Sequence, residues 1–177
     1  MTGSDLNRRR WTNFRRNRRA FVSLIVFIAC FTVSLFAELL ANDRPILVKY
    51  RGEFYMPIFS FHSETTFGGD LRTEAIYGDI EVQCLIVTGG MDQCWDAPDA
   101  LIEDAADGVV DGGAIERGWL VWPLIPYHHS TISTLDVPAP SPPDASHWLG
   151  TDDTARDVLA RIIYGFRLSV LLSLIHI

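Results

Sequence analysis

Two apolar runs, one near each end of the chain, organise the sequence. The first, "AFVSLIVFIACFTVSLFAELLA", covers Ala20 to Ala41, and its first 18 residues carry no charge. As a helix these 22 residues would extend about 33 Å at ~1.5 Å per residue, which matches the roughly 30 Å hydrocarbon core of a bilayer. The pattern predicts a transmembrane helix over 20–41, with Glu38 in the last turn, where a carboxylate can reach the headgroups. The second run grows out of a polar start, "GTDDTARDVLARIIYGFRLSVLLSLIHI". Thr151, Asp152 or Thr154 can cap a helix, and Thr154 with Asp157 fits a loose capping box. Val158, Leu159, Ile162, Ile163 and Phe166 follow helical spacing, and Asp157 with Arg161 forms an i,i+4 pair. This predicts an amphipathic surface helix over 150–167, a bend at Gly165, and the start of a second span over 168–177. Ten residues from Leu168 give only about 15 Å of helix, half of what a bilayer requires.

Between the runs, residues 42–149 show no repeat and no long periodic helix. "ILVKYRGEFYMPIF" alternates weakly and predicts a short hairpin bracketed by Pro45 and Pro57. A short helix is expected near Ile80–Val87. "PDALIEDAADGVVDGGAIERG" is acidic and glycine-rich and predicts an exposed loop. "WLVWPLIPY" should pack against the rest of the segment or sit at the membrane interface. Pro138, Pro140, Pro142 and Pro143 predict a stiff, extended connector over 138–143.

Charge sharpens this picture. The 177 residues carry a net charge of -7, an average that conceals a strong asymmetry. Residues 1–19 hold seven arginines and one acid, Asp5, whereas 42–149 hold 17 acids against five Lys and Arg. A basic head followed at once by an apolar run points to membrane lipid as partner and away from nucleic acid. The arginines should stay cytoplasmic, so 1–19 is expected inside and 42–149 outside. A cleaved leader would need a small residue at the −3 place. Leu35 and Leu39 occupy it before the candidate cuts after Ala37 and Ala41, which favours an uncleaved anchor.

Candidate chemistry is sparse. Cys84 and Cys94, ten apart in the outward segment, either close a disulfide or remain two thiols; Cys30 lies in the membrane run. "EDAADGVVDGGAIE" clusters acids around glycines but fails the calcium-loop template, since Asp104 and Asp107 are three apart and Ala114 stands where the closing glutamate belongs. His128 and His129, as strand neighbours, would point to opposite faces. No phosphate loop, nucleophile elbow or zinc helix is present, so no catalytic, metal or cofactor site is expected.

"LGTDDTARDVLARIIYGFRLSVLL" resembles the signature before the second membrane helix of dipeptide/oligopeptide ABC-transporter permeases, roughly L-G-T-D-x-x-G-R-D-x-x-x-R-x-x-x-G-x-R-x-S. Gly150, Thr151, Asp152, Arg156, Asp157, Arg161, Gly165, Arg167 and Ser169 match it. Ala155 stands where glycine is usual, a departure expected to favour continuous helix. The head "NRRRWTNFRRNRRAFVSLIVFIACFTVSLFAELLANDRPILVKYRGEFYMPIF", "VWPLIPY" and the proline-rich connector are similar to the YejE-type branch, permeases of microcin C/oligopeptide importers. Residues 7–60 and 119–172 carry the resemblance, and 82–118 reads as a variable insertion. The fold class expected is a mainly α membrane protein fragment: one N-terminal transmembrane helix, an irregular mixed outward-facing segment, an amphipathic helix and the start of a second span.

The resemblance implies a permease for peptide import across the bacterial inner membrane. Its partners would be a second permease subunit, ATPase subunits that hydrolyse ATP separately, and a periplasmic peptide-binding protein. The later spans and ATPase-docking loop of the family are not in this sequence, which leads to the expectation of a truncated or frameshifted permease, inactive alone. DNA beyond the codon for Ile177 would reveal further spans. The rival reading is a single-pass anchored protein whose acidic outer segment binds a partner. A secreted enzyme has no site to support it.

Overall fold

A computed structural model describes residues 3–105, 109–110, 113–114, 116–133 and 138–176. The chain divides into two units, Met1–Phe36 with Ile163–Ile177, and Ala37–Ile162. Of the expected mainly α membrane fragment, the structure shows the coarser part, a partly helical chain, and it has two helices long and apolar enough to cross a membrane where one full span and the start of another were expected.

The first unit is helical. The basic head forms α1, Gly3–Arg16, and Asn17 separates it from α2, Arg18–Leu35. The Asn17 side chain accepts a hydrogen bond from the Ala20 amide at 3.4 Å, which supplies one of the donors that a helix start leaves unpaired. α2 ends six residues before Ala41. Its continuation is broken at Phe36, whose amide bonds back to the Val33 carbonyl at 3.1 Å. A separate turn of helix, α3, Ala37–Leu40, then opens the second unit and carries Glu38. The predicted single helix over 20–41 is therefore two pieces, because the tight turn at Phe36 interrupts the α-helical ladder.

The second apolar helix differs more. α6, Val158–Ile175, is one helix of 18 residues. It runs through Gly165 without the expected bend, and the separate surface helix over 150–167 and the break before 168 are absent. At ~1.5 Å per residue α6 is about 27 Å long. Its first turns bury Ala160 and Tyr164, and of the predicted face Val158, Leu159, Ile163 and Phe166 are half-buried while Ile162 stays 53% exposed. Phe27 of α2 and Phe166 of α6 meet edge to face, with centroids 5.8 Å apart.

The second unit holds a small sheet. β1, Leu47–Tyr50, and β2, Glu53–Tyr55, form the predicted hairpin, with Val48 opposite Tyr55 and Tyr50 opposite Glu53. Arg51 and Gly52 both have positive φ, 47° and 81°, the backbone that a two-residue turn needs to match strand twist. "WLVWPLIPY" supplies β5, Trp119–Val121, antiparallel to β1 on its other edge. β1 is thus the central strand, and its inward Val48 and Tyr50 meet Phe67, Tyr77, Val82 and Ile86 in one cluster.

Helix α4, Ile80–Thr88, covers the predicted short helix and is buried on several sides at Cys84, Leu85 and Ile86. It packs with Cys94, Leu101 and Ala105 in a second cluster. The stretch from Pro98 is not simply a loop: it opens with α5, Pro98–Asp104, and continues into β3, Val109–Val110, paired with β4, Gly113–Ala114. The calcium-template positions Asp107 and the rest of 106–108, with 111–112 and 115, lie outside the described residues. The stretch 82–118, expected as a variable insertion, thus supplies part of the core of this unit.

Candidate functional site

The matched motif forms a folded loop that ends in a helix cap. Gly150 has φ +73°, and a Cβ there would stand 2.4 Å from the Ser141 carbonyl oxygen. Both facts require glycine. The neighbouring Thr151 hydroxyl accepts from the Ser141 amide at 3.0 Å and pairs with its hydroxyl at the same distance. The proline-rich connector is therefore tied to the motif through buried Ser141.

Asp152 organises the next turn. Its Oδ1 accepts from the Thr154 amide and hydroxyl and from the Arg156 amide, at 2.9, 2.8 and 2.9 Å, while Oδ2 pairs with Arg161. Arg161 was expected to pair with Asp157, but Asp157 is engaged elsewhere. The Arg156 amide first, then the Thr154 contacts and the Arg161 charge, hold the Asp152 carboxyl at about 2. A carboxyl lowered on folding contributes stability above its unfolded value near 3.9, and that contribution fades as pH falls toward the folded value. Protection of the Thr154 and Arg156 amides, measured as exchange relative to the intrinsic rate at each pH, is therefore expected to fall as pH drops from about 4 to about 2, and Asp152→Asn should remove that pH dependence.

Ala155 carries the clearest correction. It was expected to extend a helix, yet it lies before α6 with φ +58°. An L-residue in this region costs roughly 1–2 kcal/mol, a strain that glycine would not carry. Ala155→Gly is expected to raise stability by about 0.5–1 kcal/mol, the strain relieved less the added freedom of the unfolded chain. Thermal unfolding in detergent measures it, and a lowered midpoint would contradict the assignment.

Asp157 is 1% exposed and caps α6. Its Oδ1 accepts from the Ala160 amide at 2.7 Å, the geometry of an N-cap side chain and the third helical residue. The capping residue is thus Asp157, not Thr151, Asp152 or Thr154. Its Oδ2 meets His147 Nδ1 at 2.9 Å. His147 is 3% exposed, stacks on Tyr127 at 4.3 Å, and its amide bonds Asp144 Oδ1. Burial, then the charges of Asp157 and Asp144, push the Tyr127 phenol up. Sequence reasoning missed His147, Tyr127 and Ser141. The polar residues inside the proline-rich connector were the available signal.

Of the remaining motif residues, Gly165, Arg167 and Ser169 lie along α6, away from this loop. Arg167 sits over the Tyr164 ring at 4.9 Å. Cys84 and Cys94 are joined, with Cα atoms 5.6 Å apart, and Thr88 Oγ1 lies 3.4 Å from the Cys94 sulfur. His128 and His129 are not strand neighbours. They enter a turn with ring centroids 4.0 Å apart, and burial, then His129, lowers the His128 pKa. Among the described residues no three His, Cys, Asp or Glu gather as a metal set.

Residues 6–57 match the family described as the N-terminal TM domain of oligopeptide transport permease C. The inner membrane ABC transporter permease protein YejE of Escherichia coli is 37% identical over 172 residues, covering 97% of this chain and 42% of that protein. The peptidoglycan transport system permease protein YejE of Agrobacterium fabrum is 33% identical over 196 aligned positions, covering 97% and 44%. The dipeptide transport system permease protein DppC of Alkalihalophilus pseudofirmus shares 61% identity over 28 residues, 16% of this chain and 9% of that one. The chain thus spans less than half the length of the two YejE proteins. No solved structure matches it.

Proposed function

The chain belongs to the ABC peptide-transporter permeases of the YejE type, and from that membership we propose that it supplies the first two spans, and the unit between them, of a permease that imports peptide across the bacterial inner membrane. One observation carries the reading. The two apolar helices, Arg18–Leu35 and Val158–Ile175, have only 6% and 11% of their residues buried. A core helix of a soluble protein would be covered by its own chain; these leave their apolar surface for lipid or for neighbouring spans. The arginine head behind α2 supports a cytoplasmic N-terminus and an outward-facing Ala37–Ile162. The joined pair Cys84–Cys94 suits an oxidising compartment.

In this arrangement the loop from Gly150 to Asp157 fixes where the chain leaves the outer unit and enters the second span. The Asp157 cap and the Asp152 turn fix the backbone at the start of α6. The partners are a second permease subunit, cytoplasmic ATPase subunits and a periplasmic peptide-binding protein. ATP hydrolysis belongs to the ATPase, and the chain itself is no enzyme.

A chimera tests the proposal. This chain replaces the matched 42% of the Escherichia coli YejE protein, and uptake of a labelled peptide is measured in cells lacking the native gene. Uptake above the deletion strain is expected. A chimera that inserts at normal levels and fails to import would overturn the reading.

A further inference from the structure

The basic head holds the densest charge in the chain, seven arginines among the twelve residues from Arg8 to Arg19. In α1 and the first turn of α2, Arg8, Arg9, Arg10, Arg15, Arg16, Arg18 and Arg19 are all exposed. Among the described residues no carboxylate pairs with any of the seven. Like charges within a helical turn of one another weaken a helix, and a helix as short as α1 is marginal in water by itself. Cations concentrated in this way, with no neutralising partner, are suited to an anionic surface.

Aromatic rings give α1 a second property. Trp11 and Phe14, one turn apart, stack with ring centroids 5.8 Å apart, and Trp11 is 53% exposed. Asn7, one turn before Trp11 and two before Phe14, shares their face. At about 100° per residue, Arg8 and Arg15 flank this strip on one side and Arg10 on the other, whereas Arg9, Asn13 and Arg16 lie on the far side. Aromatic rings edged by long cationic side chains suit a helix lying in a membrane interface. The rings enter the headgroup region, and the guanidiniums reach the phosphates.

The junction with α2 keeps that strip close to the bilayer. Only Asn17 separates the two helices, and its ψ of 92° breaks the helical path. A straight continuation would carry the far end of α1 about 21 Å from the start of the span, beyond the ~10 Å reach of a charged surface at roughly 0.1 M salt. Across the break, Phe14 meets Phe21 of α2 edge to face at 6.4 Å, and the Arg15 guanidinium stands 5.8 Å from the same ring. We propose that α1 is an in-plane helix of the cytoplasmic leaflet that binds anionic phospholipid headgroups, with Asn7, Trp11 and Phe14 toward the lipid and the arginines on its phosphates. The proposal rests on the reading of α2 as a span with a cytoplasmic amino end, and it adds the lipid class and the binding face.

The test uses the full chain, with Cys30→Ala and the Cys84–Cys94 pair kept, in nanodiscs of phosphatidylcholine alone or of equal parts phosphatidylcholine and phosphatidylglycerol. A small fluorophore on Asn7→Cys, or on Asn13→Cys as the far-side control, is quenched by a spin-labelled phosphatidylcholine present at the same fraction in both bilayers. Quenching at Asn7→Cys should rise about twofold or more with phosphatidylglycerol, exceed that at Asn13→Cys, and fall back in high salt. Arg8→Gln, Arg10→Gln and Arg15→Gln together should remove the rise, since glutamine keeps the helix propensity and loses the charge. Retention in the discs checks the span separately: a chain that leaves them overturns the span reading and this proposal with it. With the chain retained, equal quenching in the two bilayers, equal quenching at the two positions, or a rise that survives the triple variant would overturn the proposal alone. So would a response to added RNA or polyglutamate in place of phosphatidylglycerol, which would assign the arginines to nucleic acid or to an acidic protein.

Discussion

Asp157→Ala is expected to destabilise the folded chain by about 2–4 kcal/mol, the largest effect of any motif substitution. Two losses combine. The Ala160 amide loses its cap, typically worth ~1 kcal/mol. His147 Nδ1, in a side chain 4% exposed, loses its bond to Asp157 Oδ2 at 2.9 Å, and a buried polar group left unpaired costs about 1–3 kcal/mol. Asp157→Asn retains an acceptor of similar shape and should cost clearly less. Thermal unfolding in detergent distinguishes them. Equal midpoints for the alanine variant and the unaltered chain would show that the buried pair contributes nothing.

Replacing both Cys84 and Cys94 with alanine is expected to cost about 3 kcal/mol through the released ten-residue loop. Both cysteines lie in the second core cluster, and both are 0% exposed. The pair ties α4 to the stretch that leads into α5, so its loss frees the packing of Leu101 and Ala105 against α4. Dithiothreitol should lower the midpoint of the unaltered chain and leave the double variant unmoved. A reductant-insensitive midpoint in the unaltered chain would contradict the pairing.

The long-range organisation was legible because membrane spans and basic heads are written in composition. Eighteen uncharged residues behind seven arginines need no tertiary context. The hairpin at Arg51–Gly52 and the helix at Ile80–Thr88 were legible for a similar reason, since local backbone preference and tertiary packing agree there. The motif loop was legible only as a pattern. Its letters marked Asp152 and Asp157, but helical periodicity assigned Thr154, Ala155 and Arg156 to the wrong structure. A capped loop and a capped first turn share the same polar residue types, and only the contacts of Asp152 separate them.

His147 was hidden for another reason. Its partner is ten residues away and across a turn, a separation that no periodic template covers. The stretch 82–118 combines an acidic, glycine-rich part around Asp104 to Glu116 with the apolar residues Val82 to Val87, already marked by the helix expected near Ile80–Val87, that pack in the core.

Single-cysteine labelling tests the central claim most directly, that α2 and α6 are membrane spans with the unit Ala37–Ile162 on the outer side. The background carries Cys30→Ala, and Cys84 and Cys94 remain joined. Asn13→Cys reports on the basic head, and Asp96→Cys on the outer unit; both positions are exposed. In cells with a permeabilised outer membrane, a membrane-impermeant maleimide is expected to label Asp96→Cys at once and Asn13→Cys only after the inner membrane is lysed. Labelling of Asn13→Cys in intact inner membranes, or protection of Asp96→Cys until lysis, would contradict the account.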